Sequence, residues 1–158
     1  MTGRGNGSLL RIVGAAGGGR TSLAVSKAAS ILASDDRRLV MIDTLGHGVC
    51  SAIDAHDLRE RSVFKFETAA NQILAVARHL IASGGVGCVV LDDLPGLDFG
   101  PSLDPWARAK AMSVFTQSLT SIALAFDCSL ILVDRASDFG RRAPLGFRDE
   151  FIPDKRAA

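Results

Sequence analysis

Four short apolar runs divide this 158-residue chain, and a glycine or an aspartate follows each of them. The runs are predicted to be buried strands at 9–13, 39–42, 86–91 and 130–133. Apolar residues recur at helical spacing over 21–33, 66–81 and 106–126, which predicts three helices. Strands that alternate with helices favour an α/β fold, with a mostly parallel sheet and helices on both of its faces.

The remaining segments carry weaker patterns. Residues 1–8 are glycine-rich and are predicted to be a flexible N-terminus, and residues 9–135 form the predicted core domain. Residues 136–158 contain arginine, glycine and proline and are predicted to be a C-terminal loop and tail. Residues 47–61 show no pattern beyond that of a loop with room for a short helix.

Composition removes several classes of protein. With 18 basic and 17 acidic residues the net charge is +1, so net charge alone does not predict tight DNA binding. The three cysteines are scattered along the chain, which argues against a disulfide framework or a zinc site and favours a cytoplasmic protein. No apolar run approaches the roughly 20 residues that a membrane-spanning helix needs. A membrane partner is therefore not expected.

The ends of the predicted strands point to a binding site. Parallel sheets bind their ligands at the carboxyl ends of the strands. In this chain those ends carry Gly14, Asp43, the pair Asp92–Asp93 and the pair Asp134–Arg135. One edge of the sheet is therefore expected to carry the chemistry.

The turn after the first strand reads GAAGGGRT and nearly matches the phosphate-binding loop GxxxxGK[ST]. Backbone N–H groups of such a loop surround phosphate oxygens, the helix N-terminus adds partial positive charge, and the final hydroxyl holds Mg²⁺. Arginine stands in the place of the lysine; it keeps the charge but is planar and bulkier. A strand-to-helix turn without a ligand is the alternative. The predicted nucleotide-binding residues are Gly14, Gly17, Gly18, Gly19, Arg20, Thr21 and Ser22.

The strand VVLDDL supplies the acids that such a site needs. Asp92 is predicted to hold Mg²⁺ together with Thr21, and Asp93 is predicted to be a catalytic residue that polarises the attacking water. Apolar strands often end in aspartate, so this pattern gains its specificity from its position after the glycine-rich turn.

Four arginines follow the last predicted strand or end it. They could contact DNA phosphates, although a solvated chain end explains them equally well. These candidate nucleic-acid contacts are Arg135, Arg141, Arg142 and Arg148.

Together these segments resemble the core of the RecA/RadA recombinase family. The resemblance covers residues 9–148 and is carried by LLRIVGAAGGGRTSLA, LVMID, FETAANQILAVARHLIASGGVGCVVLDDLPGL and SLILVDRAS. It implies a RecA-like core with ATP at the glycine-rich turn and Mg²⁺ near Thr21 and Asp92. It also implies a polar sensor at Asp134–Arg135 and DNA-contacting loops at 94–105 and 136–151.

The sequence also departs from this family. No glutamate follows the second strand at 42–45, the loop lysine is Arg20, and the sensor glutamine is Arg135. The N-terminal element through which recombinases form filaments, and the C-terminal part of their sheet, have no counterpart. The resemblance therefore implies a minimal core truncated at both ends, similar to ImuA-type accessory proteins or recombinase paralogues.

Three functions follow as expectations. The first is an accessory protein in DNA repair or recombination, with weak or absent ATP hydrolysis, which binds another repair protein and contacts DNA weakly. The second is a non-enzymatic protein-interaction module on the same fold, like the SulA type of cell-division inhibitor. The third is an active small P-loop ATPase that uses Asp93. Thr21, Asp92 and Asp93 favour the first function, whereas Arg20 and Leu45 favour the second.

Overall fold

A computed structural model describes residues 7–15, 19–47, 51–101, 103–135, 144 and 146–152. These residues form a single six-stranded sheet in which all paired neighbours are parallel. The strands are β1 (Leu9–Gly14), β2 (Arg38–Asp43), β3 (Ser62–Phe66), β4 (Val86–Asp92), β5 (Ser129–Arg135) and β6 (Arg148–Phe151). They lie side by side in the order β3-β2-β4-β5-β1-β6.

Among the described residues four helices connect the strands, together with 3-10 turns at Arg59–Arg61 and Leu94–Gly96. The helices are α1 (Arg20–Leu32), α2 (Ser51–Ala55), α3 (Ala70–Ala82) and α4 (Pro105–Ala125). Over the described part of the chain, none of them combines the length and the apolar character that crossing a membrane requires.

The predicted α/β class and parallel sheet are confirmed, as are the four predicted strands. Side chains alternate between the two faces of the sheet, as in β4, where Cys88 and Val90 face one layer and Val89 and Leu91 face the other. α1 and α2 cover the first face, and α3 and α4 cover the second. Helices therefore lie on both faces, as predicted.

The sequence interpretation missed both edge strands. The helix predicted to begin at Phe66 begins at Ala70, because residues 62–66 form β3. Residues 148–151, which fall in the predicted tail beyond Arg135, pair with β1 as β6. Both strands have a single neighbour and side chains that are only partly buried, so neither shows the continuous apolar run of an inner strand.

Candidate functional site

The polar strand ends meet at one edge of the sheet, as the sequence predicts. In the register of the strands Gly14 of β1 lies beside Arg135 of β5, and Asp43 of β2 lies beside Asp92 of β4. β5 separates β1 from β4, so α1, which follows β1, reaches across β5 to contact Asp92 at the end of β4 and Asp93 directly after it.

The glycine-rich turn leads directly into α1. Gly14 is buried at the end of β1, and Gly19 precedes the helix with φ of 89°, a left-handed conformation that favours glycine. No side chain of the described residues caps the first turn of α1. Gly17 and Gly18 of the predicted phosphate-binding set lie outside the described residues.

Arg20 turns back into the protein rather than out of it. Its side chain is only 6% exposed, and its Nη2 atom donates to Oδ2 of Asp93 at 3.1 Å. The Nη1 atom donates to the main-chain oxygen of Asp134 at 3.0 Å. The guanidinium therefore joins the start of α1 to the ends of both β4 and β5.

Asp93 is fully buried, and its two carboxylate oxygens, its N–H and its carbonyl oxygen are all hydrogen-bonded. Beside the bond from Arg20, its Oδ1 accepts a hydrogen bond from the Gly96 N–H at 2.9 Å. Its own N–H donates to the Thr44 hydroxyl at 2.9 Å, and its carbonyl accepts from that hydroxyl at 2.8 Å. A catalytic base must come within hydrogen-bond reach of the proton that it takes. The geometry gives Asp93 a structural role and offers its predicted catalytic role no support.

Thr21 and Asp92 form a second contact directly beside the first. The Thr21 hydroxyl donates to Oδ2 of Asp92 at 2.5 Å, and Asp92 is 6% exposed. Burial raises the pKa of Asp92; the hydrogen bond from Thr21 opposes this rise, and the neighbouring Asp93 carboxylate adds to it. The structure thus brings together the two predicted Mg²⁺ ligands, while the predicted Ser22 is exposed on the same turn of helix.

Asp43, at the end of β2, hydrogen-bonds to the turn that follows its own strand. Oδ1 of Asp43 accepts hydrogen bonds from the N–H groups of Leu45 and Gly46, at 2.9 and 3.0 Å. This carboxylate therefore closes the turn that follows its own strand.

The two described arginines of the predicted DNA-contacting set, Arg135 and Arg148, stand apart. Arg135 is exposed at the level of Gly14, whereas Arg148 is exposed at the level of Leu10, about 13 Å away along β1. Arg141 and Arg142 lie outside the described residues.

Sequence reasoning missed a buried charge network next to the site. Arg11 is 4% exposed in the middle of β1; its Nε and Nη2 donate to Asp149 of β6 at 2.8 and 2.7 Å. Its Nη1 donates to Oδ2 of Asp134 at 3.2 Å. The bond to Asp149 is the main cause of a raised pKa for Arg11. One signal for this network was available, namely an arginine inside the apolar run LLRIV.

The side chains and backbone at this site agree only in part with what bound ATP and Mg²⁺ would need. Thr21 and Asp92 provide the oxygen atoms that Mg²⁺ prefers, and the uncapped start of α1 suits an anion. The charge of Arg20, however, is already paired with Asp93. Within the described ranges no group of three or more His, Cys, Asp or Glu side chains could hold a metal ion. The residues do not fit a triphosphate held ready for hydrolysis.

Comparison with known proteins adds no assignment: no family model matches the chain, and no curated protein matches it.

Proposed function

We propose that this chain is a cytoplasmic, RecA-like accessory protein of DNA repair or recombination that acts by binding a partner protein and does not hydrolyse ATP. The buried ion pair between Arg20 and Asp93 carries the part of the proposal that concerns hydrolysis. The part that concerns DNA repair rests on the sequence resemblance to the RecA/RadA family.

Three observations support descent from a phosphate-loop protein. A glycine-rich turn connects β1 to α1, the hydroxyl of Thr21 meets the acid at the end of β4, and the sheet is parallel throughout its described strands. Each is a feature that the RecA-like interpretation requires, and the first two occur together at the carboxyl ends of the strands.

The ion pair argues against hydrolysis because it removes two groups at once. Phosphoryl transfer needs a cation on the phosphates and a group that positions the attacking water. Here the two candidates for these tasks, Arg20 and Asp93, neutralise each other. Breaking a buried ion pair by removing one partner costs about 3–5 kcal/mol. If moving Arg20 onto a nucleotide costs as much, binding would weaken by roughly two to four orders of magnitude.

The same ion pair favours a second candidate, a protein-interaction module that has lost its nucleotide altogether. ATP binding separates the two. An accessory protein that keeps Thr21 and Asp92 as magnesium ligands binds ATP–Mg²⁺ without turnover, whereas an interaction module does not bind it.

Calorimetry of ATP–Mg²⁺ binding, with phosphate release measured on the same sample, tests the proposal. We expect phosphate release at the buffer background, with and without DNA, in the wild type and equally in the Asp93→Asn variant. Turnover of about 1 s⁻¹ or more, the ordinary enzyme range, would contradict the proposal. If Asp93→Asn abolished that turnover, the chain would be an active P-loop ATPase.

DNA contact is a separate part of the proposal, and we expect it to be weak. The chain has a net charge of +1, and the described arginines Arg135 and Arg148 stand apart. Fluorescence anisotropy with a labelled single strand should show binding that salt removes and that replacing Arg141, Arg142 and Arg148 by alanine weakens. Tight binding at physiological salt, or binding unchanged by the triple replacement, would place the DNA surface elsewhere.

A further inference from the structure

The C-terminal strand β6 ends beside the glycine-rich turn and contacts it directly. Ile152, which follows β6, donates from its N–H to the main-chain oxygen of Val13 at 2.9 Å. Gly14 is the next residue of β1, and a Cβ atom there would lie 3.1 Å from Cβ of Ile152 and 3.2 Å from Cγ of Arg20. Because glycine has no side chain, Ile152 and the stem of Arg20 both occupy the space beside the end of β1.

A chain of charged contacts also joins β6 to Arg20. Asp149 of β6 accepts two hydrogen bonds from the buried Arg11, whose Nη1 donates to Oδ2 of Asp134. The main-chain oxygen of Asp134 in turn accepts from Nη1 of Arg20 at 3.0 Å. Asp134 thus binds both arginines, one with its carboxylate and the other with its carbonyl. Networks of this kind carry energetic coupling between the elements that they join.

β6 is attached to the sheet less firmly than the inner strands. Among the described strands it pairs with β1 alone, and it has four residues. Its other ion pair, from Lys27 of α1 to Glu150 at 3.1 Å, is about one-third exposed, and such pairs contribute little to stability. Segments with few buried contacts open locally at a much lower free-energy cost than the core of a domain.

The charges of the network also favour opening at this strand. The buried guanidinium of Arg11 lies between two carboxylates, those of Asp134 and Asp149. If β6 leaves the sheet, Asp149 reaches water while Arg11 keeps its ion pair with Asp134. Leaving a buried charge without any partner is costly, and in this case one partner remains. The opening of β6 therefore avoids the main penalty of breaking a buried ion pair.

We propose that β6 opens separately from the rest of the sheet, and that its opening uncovers Arg20. With β6 closed, Ile152 fills the space beside the stem of Arg20, and the guanidinium stays between Asp93 and Asp134. With β6 open, water enters that space and the guanidinium becomes accessible to solvent. β6 thereby controls whether the cation of the glycine-rich turn is available to an anion.

This inference goes beyond the proposed function and does not depend on it. The measurements that test it use no nucleotide, no DNA and no partner protein. ATP binding or phosphate release could therefore contradict the proposed function and leave the opening of β6 unaffected, and the reverse also holds.

Hydrogen exchange at low concentrations of urea tests whether β6 opens separately. We expect the Ile152 N–H and the amides of β6 to be about a hundredfold or more less protected than the amides of β4 and β5. Their exchange should hardly depend on urea, because the opening of one edge strand exposes little surface. Equal protection in β6 and β4, or an equally steep dependence on urea, would overturn the proposal.

Modification by phenylglyoxal, an arginine-selective reagent, tests whether the opening uncovers Arg20. Mass spectrometry gives the rate at each arginine of the intact protein. Asp149→Asn removes the buried carboxylate of β6 and should speed the modification of Arg20 about tenfold or more, because hydrogen bonds to charged groups are the strong ones. Ile152→Ala removes the side chain beside the Arg20 stem and should act in the same direction. Arg37 precedes β2 at the opposite end of the sheet and should keep its wild-type rate in both variants.

Two control variants separate this effect from a general loss of stability. Glu150→Gln makes the same carboxylate-to-amide change in the same strand, but at the partly exposed pair, and should speed the modification of Arg20 less than about fivefold. Ile73→Val removes a methylene from the buried side of α3 and destabilises the whole domain. It should leave the rate at Arg20 unchanged, because β6 opens without unfolding of the domain.

Three results of the modification experiment would contradict the proposal. The first is a rate at Arg20 that Asp149→Asn and Ile152→Ala both leave unchanged. The second is an effect of Glu150→Gln as large as that of Asp149→Asn. The third is an equal acceleration by Ile73→Val, which would mean that Arg20 is uncovered only when the whole domain unfolds.

Discussion

Replacing Arg20 by methionine tests whether the ion pair holds the site together. Methionine is unbranched like arginine but shorter and uncharged, so the fully buried Asp93 carboxylate would lose its cation and Asp134 would lose a donor to its carbonyl. Breaking a buried pair in this way costs about 3–5 kcal/mol, out of the roughly 5–15 kcal/mol by which a domain is stable. We expect Arg20→Met to lower the free energy of unfolding by about 3–5 kcal/mol.

The double variant Arg20→Met/Asp93→Asn identifies the cause of this loss. Asparagine keeps an oxygen for the Gly96 N–H and carries no charge, so the second change should restore most of the stability that the first removes. Urea unfolding followed by far-UV circular dichroism measures all the variants, with Arg59→Met as the control because Arg59 and Asp54 form an exposed pair. The reasoning is refuted if Arg20→Met costs less than about 1 kcal/mol, or if the two changes are simply additive.

Three further predictions follow. Because burial raises the pKa of Asp92, the folded protein disfavours its charged form, and the free energy of unfolding falls as pH rises through the raised pKa. In urea titrations Asp92→Asn should therefore gain stability relative to the wild type as pH rises. A stability difference that does not depend on pH would contradict this prediction. Burial raises the pKa of Cys88 and raises that of Cys128 to about 12. Both thiols should therefore resist alkylation by iodoacetamide at pH 8 until urea unfolds the chain. Mass spectrometry measures this, and labelling of either cysteine in the folded protein would contradict the prediction. Gly96→Ala would place a Cβ atom 2.2 Å from Oγ1 of Thr44. It should lower the free energy of unfolding by about 1–3 kcal/mol in the same assay. An unchanged unfolding midpoint would show that the turn adjusts to the new atom without cost.

The layered architecture follows from local patterns in the sequence. The four inner strands are apolar on both faces because helices cover both faces, so their runs stand out from the helical spacing between them. Edge strands carry a weaker pattern. β3 reads SVFKF and β6 reads RDEF, and since one side of each faces solvent, nothing in their composition requires a strand.

The sequence also determined which residues lie at the site. Parallel strands place their carboxyl ends together, so Arg20, Thr21, Asp92 and Asp93 were expected at one edge although more than 70 positions separate the two pairs. That expectation needs only the order of strands and turns, which local patterns reveal.

How these side chains pair depends on the packing of the folded chain. The glycine-rich turn predicts that Arg20 points towards a phosphate, yet the folded chain directs its guanidinium between Asp93 and the main chain of Asp134. Likewise Arg11 is tolerated in an apolar strand because Asp134 and Asp149 reach it from two neighbouring strands. A buried charge takes the partner that the packing brings within reach, and packing between residues distant in sequence leaves no local pattern.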